Sequence, residues 1–138
     1  MSTALTSTPK WRIAAEYARR GTNALITACV ALLEARPADV SDDLITVLGG
    51  ESARYVLDGG EGGRAGYWPR VWAARGLLHA WAPAATAAII RATEDEAWRV
   101  REMAANVIAR HQVGDALDAV AALRAAARAV TLLTAAGA

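Results

Sequence analysis

The apolar positions of this chain recur at intervals of three and four residues, cut by proline, glycine and small capping residues, a pattern that predicts a succession of short helices. Thr8-Pro9-Lys10 reads as a helix start, with proline at the first helical position, where its missing N–H is no loss. Trp11, Ala14, Ala15 and Ala18 form the expected apolar stripe, and Gly21 closes that helix. Thr22 is placed to cap the next, which carries Leu25, Cys29, Leu32 and Leu33 and must stop before Pro37. Ser41 caps a shorter helix with Leu44, Ile45 and Leu48 that ends at Gly49-Gly50, and Ser52 to Leu57 gives another.

The stretch DGGEGGRAGY, Asp58 to Tyr67, is glycine-rich and reads as the most flexible part and the natural internal boundary. Beyond it, Pro69 to Trp81 and Pro83 to Ala92 read as helices. Thr93-Glu94-Asp95-Glu96 fits a capping box for a helix running to about His111. Gly114 breaks the chain, and Asp115 opens a last helical region reaching Thr134. No run of Val or Ile alternates with polar residues over four positions, so no strand is expected. The chain is expected to be a single all-α domain: divergent helices over 1–58, a Gly-rich loop over 59–66 and a repetitive part over 67–138.

That second half repeats itself. WPRVWAARGLL aligns with AWRVREMAANV, setting Val71 on Val100, 29 residues apart. In the later copy Val100, Met103, Ala104, Val107 and Ile108 share one face, and Arg99, Glu102, Asn106 and Arg110 the other. DEAWRVREMAANVIA followed by a short turn and GDALDAVAAL resembles the HEAT repeat, in the short bacterial form also seen in phycobilin-lyase-like proteins. Asp95, Val100, Arg101, Ala104, Ala105, Gly114 and Asp115 match that pattern position by position. The earlier copy departs from it at Trp72 and at Arg75-Gly76. The resemblance covers about Tyr67 to Leu123. It implies a short right-handed α-solenoid of stacked helix pairs, with Asp95 and Arg101 orienting the turn between paired helices. Near the C-terminus, Ala126-Ala127 repeats Ala104-Ala105 after only 22 residues. The sequence leaves two explanations open, a fusion of the last two helices or a missing loop.

Composition narrows the function. Apolar residues make up 54% and charged residues 21%, as in a globular domain. Alanine is about a quarter of the chain, which favours helices that approach closely. Phe is absent, so large apolar contacts fall on five tryptophans and the aliphatics. The net charge of +1 leaves no strong nucleic-acid footprint, although residues 64–138 carry nine basic and six acidic groups against six and eight in residues 1–63. Cys29 is the one cysteine, sits in an apolar run and reads as a buried thiol. Neither a signal peptide nor a membrane span is read, so a cytoplasmic protein is expected.

Candidate chemistry is sparse. Gly60, Gly62 and Ala65 give a G-x-G-x-x-A match without the preceding strand a dinucleotide loop needs. His79 and His111 stand in no zinc-ligand spacing, and Cys29 has no histidine nearby in sequence, so no metal, cofactor or catalytic set is read. Asp42-Asp43 and Glu94-Asp95-Glu96 sit at helix starts, where capping accounts for them. The most promising cluster is Trp68, Arg70, Trp72, Arg75, Trp98 and Arg99, because Trp and Arg are the commonest interface anchors. The plainer account of these rings is a core that lacks Phe. The expected function is a non-enzymatic protein–protein interaction or scaffold module. Nucleic-acid binding or DNA-repair chemistry on an Arg/Trp face is the alternative, and a bilin-lyase or chaperone activity rests on fold analogy alone.

Overall fold

A computed structural model describes residues 8–114 and 117–137, and among the described residues the regular structure is all helical, with no strand. The helices are α1 (Pro9–Arg20), α2 (Thr22–Leu33), α3 (Asp42–Gly49), α4 (Ser52–Leu57), α5 (Tyr67–His79), α6 (Thr86–Ala92), α7 (Trp98–His111) and α8 (Leu117–Gly137). Short 3-10 turns at Pro37–Asp39, Gly60–Ala65 and Pro83–Ala85 join some of them. No described helix is long and apolar enough to cross a membrane.

The caps account for several boundaries. Thr8 Oγ1 accepts from the backbone N–H of Trp11 at the start of α1, and Ser41 Oγ accepts from that of Leu44 at the start of α3. The Thr93 box does not form. Thr93 is buried and donates its hydroxyl to Ile90 O (2.6 Å), while Asp95 Oδ1 accepts from the N–H of Ala97, so α7 begins only at Trp98. Two helix ends lack glycine. Ala35 (φ 59°) and Gln112 (φ 49°) take the left-handed position themselves, and the following N–H groups of Arg36 and Val113 return to Ala31 O (2.8 Å) and Ile108 O (3.1 Å).

Helix α5 lies at the centre and packs against α1, α2, α3, α7 and the 60–65 turn. It can be approached from several sides because its buried positions are largely small: Ala73, Ala74 and Gly76, with Val71, Trp72 and Leu77. A Cβ on Gly76 would stand 2.7 Å from Leu48 Cδ2 and 3.1 Å from Cys29 Sγ, so α3 and α2 close onto α5 only over a bare backbone. The Trp72 ring lies flat on Gly49 in the same way, 2.6 Å from where a Cβ would be. The two halves of the chain share one core, in which Ile13, Leu25, Leu32, Ile45 and Leu48 join Leu77, Val100, Val107 and Ile108.

Helix α1 buries a different face from the expected one. Trp11 is 68% exposed and Ala14, Ala15 and Ala18 are exposed, whereas Arg12, Ile13 and Glu16 turn inward. Alanines offer too little area to set the rotation of a helix. Ile13 and the polar partners of Arg12 set it instead. At the far end, α8 runs unbroken past Ala126-Ala127, and Val130, Leu132 and Leu133 on it are exposed.

Two outcomes follow from this packing. Gly49→Ala drives a Cβ into the fixed Trp72 indole and is expected to cost about 2 kcal/mol, lowering Tm by roughly 5–10 °C in a thermal melt; an unchanged Tm would show that the ring moves freely. Burial pushes the Cys29 thiol up to about 12. A folded-state pKa raised this far contributes stability that is whole below the unfolded thiol's pKa and is lost as pH climbs towards 12. The native chain at neutral pH is expected to resist a disulfide-forming thiol reagent that modifies the urea-unfolded chain at once.

Candidate functional site

One groove on the surface, of about 230 Å³, is lined by Ser52, Tyr55, Val56, Glu61, Trp68 and Trp72. Helix α4 supplies one wall, the first turns of α5 the other, and the Gly-rich turn places Glu61 between them. That turn is firmly held. Arg64 donates to Pro37 O (2.9 Å) and Val40 O and pairs with Asp42, pinning the segment to the start of α3. Positive φ at Gly59, Gly62 and Gly63 lets the chain coil tightly, and Glu61 is carried into the left-handed region as well (φ 50°, ψ 44°). A non-glycine residue there is strained, and surrounding structure must hold it. Gly66 does so, packing so closely on the Glu61 carbonyl that a side chain would not fit.

The carboxylate of Glu61 is fixed from above by Trp68, whose indole Nε1–H donates to Oε2 at 2.6 Å. Trp68 is half-buried and stacks towards Trp72 (centroids 6.4 Å, 27°) and Tyr67 (5.0 Å, 31°). Trp72, only 4% exposed, contributes to the groove lining from within the core. Tyr55 is 62% exposed, and its ring stands against the bare Cα of Gly60. Beyond Trp68, the Arg99 guanidinium lies 5.4 Å from the Trp68 ring and 4.7 Å from the Trp98 ring, with Trp98 itself 55% exposed.

The six residues singled out from sequence therefore divide. Trp68, Trp98 and Arg99 form one surface strip. Trp72 is buried. Arg70 and Arg75 are engaged inside the fold: Arg70 pairs with Asp95 through Nε–Oδ2 (2.8 Å) and Nη2–Oδ1 (3.2 Å), and Arg75 Nη2 donates to Leu48 O (2.7 Å). Burial, and then the charge of Arg12, lower the Arg75 pKa. Asp95 thereby ties α5 to the start of α7, since Oδ1 also accepts from the N–H of Ala97 and its carbonyl accepts from Arg101 Nη1 (2.7 Å), which also reaches Glu96 O (3.0 Å). Val100 and Ala104 are buried and Ala105 is half-buried. Gly114 has open space where a side chain would be, and Asp115 lies outside the described residues.

The histidines are structural neighbours rather than a pair. His111 Nε2–H donates to Leu77 O (2.9 Å) and Leu78 O (3.1 Å), tying the end of α7 to the end of α5, and its ring stacks on Trp81 (5.2 Å, 14°). His79 is exposed; partial burial, then the charges of Arg75, Arg110 and Lys10, hold its pKa below the ordinary value. Among the described residues no three His, Cys, Asp or Glu side chains gather into a metal-ligand set. Tyr55, Glu61 and Ser52 were not visible as site residues in the sequence. The one available signal was a charged residue inside a run of glycines. No family model, curated protein or solved structure matches this chain.

The Arg70–Asp95 pair is largely buried, with side chains 14% and 12% exposed. Asp95→Ala strands the guanidinium and is expected to cost about 3 kcal/mol. Adding Arg70→Met should recover part of that loss. Urea unfolding of the four proteins in this cycle checks it, and strictly additive losses would mean that the two groups are not coupled.

Proposed function

We propose that this chain is a non-catalytic protein-interaction module of the HEAT-repeat type, in which stacked helix pairs form a short right-handed solenoid. Three packing features support the architecture. Helices α5 and α7, one 29-residue period apart, pack directly on each other. Helix α6 between them packs on α7 and on α2. The junction is held by the Asp95, Arg70 and Arg101 network, as expected where stacked units must keep a fixed angle.

The observation that carries the binding reading is the strip running from the Tyr55–Trp68 groove across Arg99 to the exposed Trp98. Large rings and an arginine stacked on one rigid surface are the composition of interface hot spots. A partner would seat one side chain in the groove and cover the Trp98–Arg99 ledge. The arginines least available to such a partner, Arg70, Arg75 and Arg101, are committed to carbonyls and Asp95, which removes them from any phosphate-binding stripe.

Selection from a random peptide display library on the intact chain tests this. Enriched peptides are expected to lose about tenfold or more in affinity on Trp68→Ala or Trp98→Ala and to be unaffected by Arg91→Ala, on a different face. No enriched peptide, or peptides indifferent to both tryptophans, would overturn the assignment. Salt-sensitive binding of an oligonucleotide in their place would favour nucleic acid.

A further inference from the structure

The groove has a chemical preference that a generic hot spot does not. Three aromatic side chains line it, Tyr55 from one wall and Trp68 and Trp72 from the other, and its main polar group is the carboxylate of Glu61. An aromatic face attracts a cation through its quadrupole, and a desolvated alkylammonium head gains most, because it also has apolar surface to bury. At about 230 Å³ the groove falls below the range of drug-sized ligand pockets and suits a single side-chain terminus. Resting on the protein-binding reading above, we propose that the groove takes the methylated ammonium end of a lysine side chain on the partner, with Tyr55, Trp68 and Trp72 as the cage and Glu61 as the counter-charge.

The placement of Glu61 argues for this. Its backbone is held in a strained left-handed conformation by the Arg64 anchor and Gly66, and strain maintained by surrounding contacts is a mark of functional positions. Trp68 Nε1 engages Oε2, which orients the carboxylate, and among the described residues Oε1 is left for a ligand. A neutral apolar occupant would strip water from that carboxylate without compensation, and an anion would be repelled. The segment from Glu51 to Glu61 also holds Glu51, Asp58 and Glu61 against Arg54 alone, so the local balance is acidic. Arg99, stacked on the outer side of Trp68, is an opposing charge. It does not line the groove, whereas Glu61, exposed like Arg99, does and is hydrogen-bonded to Trp68 there.

Nε-trimethyllysine, blocked at both ends, is the probe, with blocked lysine, choline and the neutral choline isostere 3,3-dimethylbutan-1-ol as comparators. The readout is the indole N–H resonance of Trp68 in ¹H–¹⁵N spectra of the intact chain. Blocked trimethyllysine is expected to shift it saturably with Kd of about 1 mM, roughly tenfold tighter than lysine, and choline roughly tenfold tighter than its neutral isostere. Glu61→Gln keeps an acceptor for Trp68 and removes the charge, so it should weaken trimethyllysine about tenfold with little change in Tm. Tyr55→Ala, at an exposed position, should weaken it without unfolding the chain. Equal binding of choline and its isostere, or an unchanged affinity in Glu61→Gln, overturns the cation assignment; the wider reading then stands if library peptides still require Trp68. Choline binding as tightly as trimethyllysine overturns the assignment to a partner's side chain in favour of a free small cation. No saturable shift with any cation together with no enriched peptide overturns both.

Discussion

The C-terminal end of α3 is the point on which the rest of the molecule is hung. A helix end leaves carbonyls without partners and carries a partial negative charge. Here two guanidiniums from different helices meet that end: Arg12 Nε donates to Val47 O at 2.8 Å and Arg75 Nη2 to Leu48 O at 2.7 Å. Burial lowers the pKa of both groups, and the two like charges oppose each other, yet arginine does not give up its proton in a protein. The carbonyls are therefore obligatory partners, and α1 and α5 must both face the end of α3. Glycine makes the approach possible. Gly50 has φ 66° and offers Arg12 a space that a Cβ would close to 2.8 Å, and Gly49 receives the Trp72 ring.

That junction also sets the groove. Trp72 leans on Gly49 in the core and lines the groove with its remaining surface, so the floor of the site belongs to the same packing that fixes α3. The wall is fixed from the start of α3, where Arg64 binds the carbonyls of Pro37 and Val40. One short helix thus sets the groove at two places, through its first turn and its last. Functional side chains positioned by packed helices keep their geometry more closely than those on loops, and here even the loop residue Glu61 is referred to a helix through Arg64.

Much of the fold was legible because it is written in caps and apolar stripes. The α2 stripe of Leu25, Cys29 and Leu32 and the α7 face of Val100, Ala104, Val107 and Ile108 are buried where periodicity put them. The failures share a cause: polar groups that turn inward. Periodicity treats Arg12, Glu16 and Thr93 as surface, but their partners are backbone carbonyls or a side chain one turn away, as when Glu16 pairs with Arg20 at 2.6 Å. The helix ends fell where Pro37 and His111 put them, but Ala35 and Gln112 close them in a conformation that glycine usually supplies. The inward-turning polar groups also made the DGGEGGRAGY stretch read as a flexible boundary, although its one arginine anchors it. The groove was half legible. Trp68 and Trp72, four apart, were bound to share a face, but Tyr55 and Glu61 reach it from elements whose meeting depends on the α3 junction.

Arginine is where sequence reasoning about function needed the structure most. Arg70, Arg75 and Arg99 look equivalent in the chain, each within a few residues of a tryptophan. What separates them is the nearest unsatisfied acceptor. Arg75 stands over the orphan carbonyls of α3, Arg70 faces Asp95 squarely enough for a two-point pair, and both are drawn inward. Among the described residues Arg99 meets no carboxylate or carbonyl, and it settles between two indole rings, the weaker and more exchangeable contact. A partner carboxylate or carbonyl can therefore recruit Arg99 without breaking anything the fold needs, whereas recruiting Arg70 or Arg75 would open the helix junctions they close.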